Sequence, residues 1–205
     1  MFDFHKFNNN YIMKNVYSNI YLFNSKILRK TVRYLRLSNI VGLPTETVYG
    51  LAGNAYSKRA IKKIFNFKKR PKFNPVIIHY DQMNDAKDDV IFNQNFIKLY
   101  KKFCPGPITF VLKKKKKSRI NNIALANLDT VAIRFPDHKV IKSILKLTRF
   151  PLAMPSANIS SGLSPINAFD VFAEFQNKLK VIINGGNSKI GIESTVIDLT
   201  EKPKI

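Results

Sequence analysis

Five short segments of this chain gather hydroxyls, amides and cations of the kinds that hold anions. They are residues 44–47 (PTET), 68–75 (KKRPKFNP), 134–137 (RFPD), 155–165 (PSANISSGLSP) and 191–195 (GIEST). Lys68 and Arg70 stand two apart before Pro71. An arginine offers a planar fork to phosphate oxygens and a lysine a mobile point charge. Arg134 ends a predicted strand, placed to grip a carboxylate in the same bidentate way. Ser156, Asn158, Ser164, Ser194 and Thr195 are donors and acceptors of a size that reads phosphate, ribose or an amino acid. The set contains no activated nucleophile with its base. Positioning and electrostatic stabilisation would carry its chemistry, as in nucleotidyl and phosphoryl transfer. The familiar alternatives are missing from the sequence: no G-x-x-x-x-G-K-[ST] loop, no G-x-G-x-x-G, no G-x-S-x-G elbow and no H-E-x-x-H helix.

Each segment alone has a plainer reading. PTET can be a strand-to-helix turn with a capping threonine. Lys68 and Arg70 can be helix C-terminal cations that complement the dipole. His79 can be a satisfied core histidine, PSAN a turn, Asp137 a helix cap and His138 a surface residue. The plain readings leave the joint occurrence of five such loops, in this order, without a cause.

The loops need strands and helices to position them. Residues 25–37 carry Ile27, Leu28, Val32 and Leu35 among basic residues, which predicts an amphipathic helix. Ser57 reads as the N-cap of a helix running to about residue 67. Further helices are predicted over 95–103, 139–147 (capped by Asp137) and 168–175. Strands are predicted at 39–43, 75–80, 108–113, 131–135, 151–154, 181–184 and 194–199. Strands and helices mix without strict alternation. The expectation is an α/β (α+β) domain with a mixed sheet, not a doubly wound dinucleotide-binding unit. Loops at strand ends are where such sheets place ligands.

With 205 residues, 45% of them hydrophobic, the chain can bury one sizeable core. No run approaches the roughly 18 apolar residues of a membrane span. The single cysteine, Cys104, forms no internal disulfide, which suits a reducing, cytoplasmic compartment and excludes a cysteine-based metal site. The three histidines, His5, His79 and His138, show no metal-ligand spacing. The net charge is +22, from 35 Lys+Arg against 13 Asp+Glu. Such a field attracts polyanions. Abundant Lys, Asn and Ile with no Trp is also how a coding sequence drifts under A/T-rich bias. The run of lysines at 113–117 reads as a solvated loop. Residues 1–24 read as an extension, with an added strand, a mobile arm or an acid-poor organellar leader as alternatives. The domain proper is expected over 25–205.

PTETVYGL, K-x-R-P-x-x-NP, PGPIT, RFPDH, PSANISSGLSP and GIESTVIDL, in that order over residues 38–203, closely resemble the YrdC-type threonylcarbamoyl-AMP synthases. The resemblance implies a strongly twisted mixed sheet with flanking helices around a basic concave cavity. It implies condensation of L-threonine, bicarbonate and ATP to threonylcarbamoyl-AMP and pyrophosphate. A partner transferase would then move the threonylcarbamoyl group to N6 of adenosine in tRNAs that read ANN codons. By resemblance, Thr47, His79, Arg134 and Ser194 hold threonine. Lys68 and Arg70 are catalytic and, with Asn74, engage the ATP phosphates. Thr130, Met154, Ser156, Asn158 and Ser164 complete the nucleotide site. Mg2+ is expected to arrive with ATP, with no protein-only metal site. A noncatalytic module binding structured RNA is the alternative function. A carbamoyl-transfer module of the hydrogenase-maturation kind is a third, set aside because no acylphosphatase or zinc-finger segment accompanies it. The sequence departs from the family pattern in three places. Lys69 replaces the usual glycine, Cys104 stands where an aromatic precedes PGP, and the chain ends at EKPKI where relatives usually continue with a nucleotide-contacting arginine.

Overall fold

The computed structural model describes residues 18–201, and everything structural below refers to them. The chain forms a nine-stranded mixed sheet in the order β1-β8-β2-β3-β7-β4-β6-β5-β9, with helices on both faces. The strands are β1 Ile20–Leu22, β2 Val41–Leu43, β3 Gly50–Asn54, β4 Ile78–His79, β5 Ile108–Lys113, β6 Thr130–Arg134, β7 Leu152–Ala153, β8 Ile182–Asn184 and β9 Thr195–Asp198. The helices are α1 Ser25–Arg36, α2 Lys58–Lys68, α3 Gln94–Phe103, α4 Lys139–Thr148 and α5 Ala168–Phe175. β1 pairs in parallel with β8, so the sheet begins before the boundary expected at residue 25. The part of the 1–24 extension before residue 18 lies outside the described residues.

Local signals account for the helices. Ser57 accepts a hydrogen bond from the Ala60 amide and opens α2, as its type predicts. Asn24, Asn93 and Asn167 cap α1, α3 and α5 in the same way. The cap of α4 is not the predicted Asp137. The ring of His138 accepts from the Val140 amide instead, and Asp137 faces Lys142 at 3.6 Å. His138 is therefore a half-buried structural residue and not a surface one.

Register assigns every strand residue to one of two faces, because directly opposed residues point the same way. One face carries Leu51, Ile78, Ile133, Phe110 and Ala153. It packs against Ile61 and Ile64 of α2, Phe96 of α3 and Val171 of α5. The other carries Val41, Leu43, Ala52, Leu152 and Ile183 beneath Val32 and Leu35 of α1 and Ile141 and Ile144 of α4. That second layer stops at β7. Beyond it the same face continues along one row of register partners: Leu152, His79, Arg134, Thr109, Val196. The row passes from apolar to polar where the helical cover ends.

β3 (GLAGN) was not legible as a strand. It is buried along most of its length, so no alternation shows, and its glycines mark close approach rather than a turn. A Cβ on Gly50 would lie 2.4 Å from Met154 Cγ, and one on Gly53 would lie 3.1 Å from Ile64 Cδ1. The strand predicted over 75–80 shrinks to Ile78–His79, because the Val76 amide is drawn to the Ala124 carbonyl at 2.8 Å. The lysine run has mostly exposed side chains, but its backbone is anchored. Asp89 accepts from the hydroxyls of Tyr56, Tyr80 and Ser118 and from the Arg119 amide, and its carbonyl takes the Lys115 amide. Cys104 packs at the edge of the core, where burial raises its thiol to about 12 and keeps it unreactive.

Lys69 closes α2 in the left-handed conformation, at φ 49°. That is a position glycine occupies without strain. Lys69→Gly is expected to raise stability by about 0.5–1 kcal/mol, the relief of a left-handed Cβ less the added freedom of the unfolded chain. The midpoint of urea unfolding measures it, and an unchanged or lowered midpoint would contradict the assignment of strain.

Candidate active site

Arg134 sits at the centre of the uncovered row and is only 4% exposed. Its Nη2 donates to Glu46 Oε1 at 2.6 Å, and both side chains are buried. Glu46 comes from the β2–β3 loop, which folds over the sheet face that no helix covers. The sequence predicts Arg134 as a free fork awaiting a substrate carboxylate. It is already half engaged. Glu46 was missed because its partner lies 88 residues away, beyond any local pattern.

Beside Arg134 in register lies His79, fully enclosed, its ring set against the backbone of Ile77 and Leu152. Burial first, and then the Arg134 charge, push this imidazole down to about 3, so it is neutral at physiological pH. Thr47 is enclosed in the same loop. Its hydroxyl pairs with that of Thr45 at 2.9 Å, and its carbonyl accepts the Gly191 amide. Ser194 lies on the far side, its hydroxyl 2.7 Å from that of Thr109. Thr109 is Arg134's register partner on β5. Thr47, His79, Arg134 and Ser194 thus form one connected cluster, and Glu46 and Thr109 are the members sequence did not flag.

The second cluster surrounds Lys68, which is 1% exposed. Its ammonium donates to the carbonyls of Ser156 (2.6 Å) and Asn158 (2.5 Å) and to Asn158 Oδ1 (3.1 Å). All three of its protons are taken. Burial, and then the charge of Arg70, lower it to about 8. Asn158 also donates to the Gly162 carbonyl, so both ends of its amide shape the 155–165 loop. Here the expected phosphate-binding Lys68 and nucleotide-binding Asn158 hold backbone. Arg70 spends Nε and Nη2 on the Asn74 carbonyl, the Asn74 side chain and the Pro75 carbonyl. Its Nη1 group has no protein acceptor among the described residues. Ser164 donates to Glu193 at 2.8 Å, and the Glu193 carboxylate lies within electrostatic reach of Lys68 and Arg70. Met154 lies over Gly50, and Ser156 bridges to Gly50 across the sheet.

Thr130 stands apart. It shares Arg134's face of β6 but sits at the strand's other end, about 13 Å away at the usual rise per residue. The two clusters meet through the backbone: Gly191 bonds Thr47, the Ala157 amide bonds the Tyr49 carbonyl, and Glu193 precedes Ser194. The first cluster lines the open half of one sheet face and the second lies at the C-terminal end of α2; between them they hold cations, bare buried donors and small hydroxyls. That is an arrangement for seating an anionic ligand with a second polar end.

Residues 33–205 match a family described as Sua5_yciO_yrdC, telomere recombination. A threonylcarbamoyl-AMP synthase from Pyrococcus abyssi is 41% identical over 181 residues, covering 87% of this chain and 52% of the relative. One from Bacillus subtilis is 36% identical over 179 residues, covering 87% of this chain and 51% of the relative. The chain thus spans about half the length of these curated relatives. A crystal structure of P. abyssi Sua5 complexed with L-threonine superposes with a TM-score of 0.86 at 39% identity, covering 90% of this chain and 55% of that one.

The surroundings of Lys68 set an expectation for stability. Lys68→Met keeps the stem and removes the three donors, leaving two carbonyls and an amide oxygen bare in a buried place. The cost is expected to be about 2–4 kcal/mol in urea unfolding, with faster proteolysis in the 155–165 loop. A change within about 0.5 kcal/mol would mean that the ammonium is not holding the loop.

Proposed function

This chain belongs to the Sua5–YciO–YrdC family, and from that premise we propose that it condenses L-threonine, bicarbonate and ATP to threonylcarbamoyl-AMP and pyrophosphate. One observation carries the reading. Arg134 and His79 stand side by side on the uncovered sheet face, buried, with Arg134 Nε and the neighbouring Glu46 Oε2 unpartnered. Such bare donors and acceptors are complementary to a small polar substrate and costly without one. The threonine carboxylate meets Arg134. His79, being neutral, offers one donor and one acceptor, and Thr47 and Ser194 line the remaining sides.

In the first step the α-ammonium of threonine gives up one proton to solvent, and the resulting amine attacks the carbon of bicarbonate, or of an activated form of it. A C–N bond forms and water leaves, giving the carbamate. In the second step a carbamate oxygen attacks the α-phosphorus of ATP. A P–O bond forms and the bond to the β-phosphate oxygen breaks, releasing pyrophosphate. Arg70, through its uncommitted Nη1, holds phosphate oxygens. Lys68 contributes its charge from behind the 155–165 loop and keeps Ser156 in place. Met154, Ser156, Ser164 and Asn74 form the nucleotide side, with Asn158 shaping the loop that carries Ser156 and Ser164, and Thr130 at the far end of β6 able to meet only the distal part of a nucleotide. The buried threonine cluster keeps water from the mixed anhydride.

Near Lys68 and Arg70 the carboxylate is that of Glu193, itself engaged by Ser164. This donor set fits an Mg2+ ion that arrives on the nucleotide, held by phosphate and water, and supplies charge neutralisation there. The product passes to a transferase that acts on tRNA, in a reducing, cytoplasmic compartment. Among the described residues no helix is long and apolar enough to cross a membrane.

The test is pyrophosphate and AMP release from ATP by the purified protein, with and without threonine and bicarbonate. Turnover is expected to require both, and Arg70→Ala and Ser194→Ala are each expected to lower it at least about 100-fold. A folded protein that binds tRNA but shows no such turnover would move the function to RNA binding.

A further inference from the structure

The threonine-side cluster is incompletely paired, and its gaps have opposite character. The ion pair uses Glu46 Oε1 and Arg134 Nη2. Glu46 Oε2 and Arg134 Nε are buried with no protein partner. A carboxylate that served only to seat Arg134 would pair both oxygens with the guanidinium fork, as the geometry of the two groups favours. Here one oxygen is turned away from the fork and left bare. A buried anionic oxygen without a donor is among the more costly features a fold can carry.

We propose that Glu46 is the binding residue for the α-ammonium group of the amino-acid substrate. Oε2 accepts an ammonium N–H while Arg134 takes the carboxylate. The inference rests on the amino-acid reading above and deepens it. An α-amino acid carries opposite charges across a single carbon. The Glu46–Arg134 pair presents the complementary opposite charges 2.6 Å apart. One buried pair therefore reads both charges of the zwitterion. It also rejects ligands that have the carboxylate but lack the amine, because those would leave Oε2 bare and bring a second anion beside it. The orientation matters for the proposed chemistry, since it holds the nitrogen that must form the C–N bond. His79 and Ser194 remain for the other polar atoms of the substrate.

The experiment compares two ligands by isothermal titration calorimetry on the full chain: L-threonine, and (R)-3-hydroxybutanoate, which keeps carboxylate, hydroxyl and methyl but has no amine. The wild type is expected to favour L-threonine at least about 30-fold, as sites built around a buried polar partner do. In Glu46→Gln the affinity for L-threonine is expected to fall about 10–100-fold. The affinity for 3-hydroxybutanoate should stay within about 3-fold or improve, so that the preference collapses. Glu46→Asp keeps the charge and is expected to retain more of the preference than the glutamine variant, and it carries the test if Glu46→Gln does not fold. An equal loss for both ligands would reduce Glu46 to a support for Arg134 and overturn the assignment. Unchanged binding of both would also overturn it. A wild type that binds L-threonine without preference overturns the Glu46 role alone. A folded wild type that binds neither ligand overturns the amino-acid reading and this inference with it.

Discussion

The contact between Arg134 and Glu46 joins the two parts of the fold on which the site depends. One partner is rooted on β6, between β4 and β5; the other arrives on the loop between β2 and β3. Burying two charges costs several kcal/mol per ion, and a single close contact does not recover all of it. An enclosed pair with spare valence on both sides is therefore hard to account for as a stabilising device. It makes sense as a pre-formed electrostatic frame, in which the desolvation has been met by folding before any ligand arrives. The loop's own bonds keep the frame in place. Thr45 accepts from the amides of Thr47 and Val48, and the Ser188 hydroxyl and the amides of Ile190 and Gly191 close on the carbonyls of residues 45–47.

The Lys68 cluster follows a different logic. Its donors are fully spent on the 155–165 loop, and that loop is tied down again farther along, through the Ser160 amide to the Lys68 carbonyl, the Ile159 amide to Glu174 and Ser164 to Glu193. Ser156 and Asn158 are held, whereas Leu163 is 97% exposed. Arg70 divides its donors between fixing the 70–75 loop and one uncommitted edge. Lysine and arginine side chains that share a short motif thus do unlike work, and the reason is geometric. Lys68 lies on the last turn of α2 and points inward, while Lys69 reverses the chain and turns Arg70 outward.

How much of this was legible in the sequence depended on the range of each interaction. Helix starts at Ser57 and the amphipathic period of α1 are signals within a few residues, and the structure follows them closely. The five polar loops and their order were legible as residue types, and the fold draws them together. Glu46 was in plain view inside PTET, yet its partner is set by the packing of a loop on a distant strand. Lys68 was legible as a cation but not as one whose protons go to backbone. β3 was hidden because burial on both faces erases the period that identifies a strand. His138 displaced Asp137 as a cap although α4 begins at Lys139 as predicted: the N-cap is the residue directly before the first helical one, and there the imidazole nitrogen accepts the Val140 amide.

The charge of the whole chain can be separated from the charge of the site. Among the described residues, the buried side chains that carry formal charge are Lys68 and Arg134 against Glu46 and Asp89, two of each sign. Asp89 is satisfied by hydroxyls and an amide, and Lys68 by carbonyls, so neither needs a counter-ion. The interior is thus balanced, and the excess behind the net +22 of the chain is not stored in it. Lys26, Arg29, Lys30, Arg33 and Arg36 on α1 and much of the run at 113–117 face solvent. Drift toward lysine could raise that surface charge without disturbing the frame that Arg134 and Glu46 build. Conversely, a polyanion drawn to the surface would meet a field set by exposed residues, while a ligand of the Arg134–Glu46 cluster would meet a few enclosed atoms. Attraction and recognition are therefore independent properties of this fold, carried by different residues.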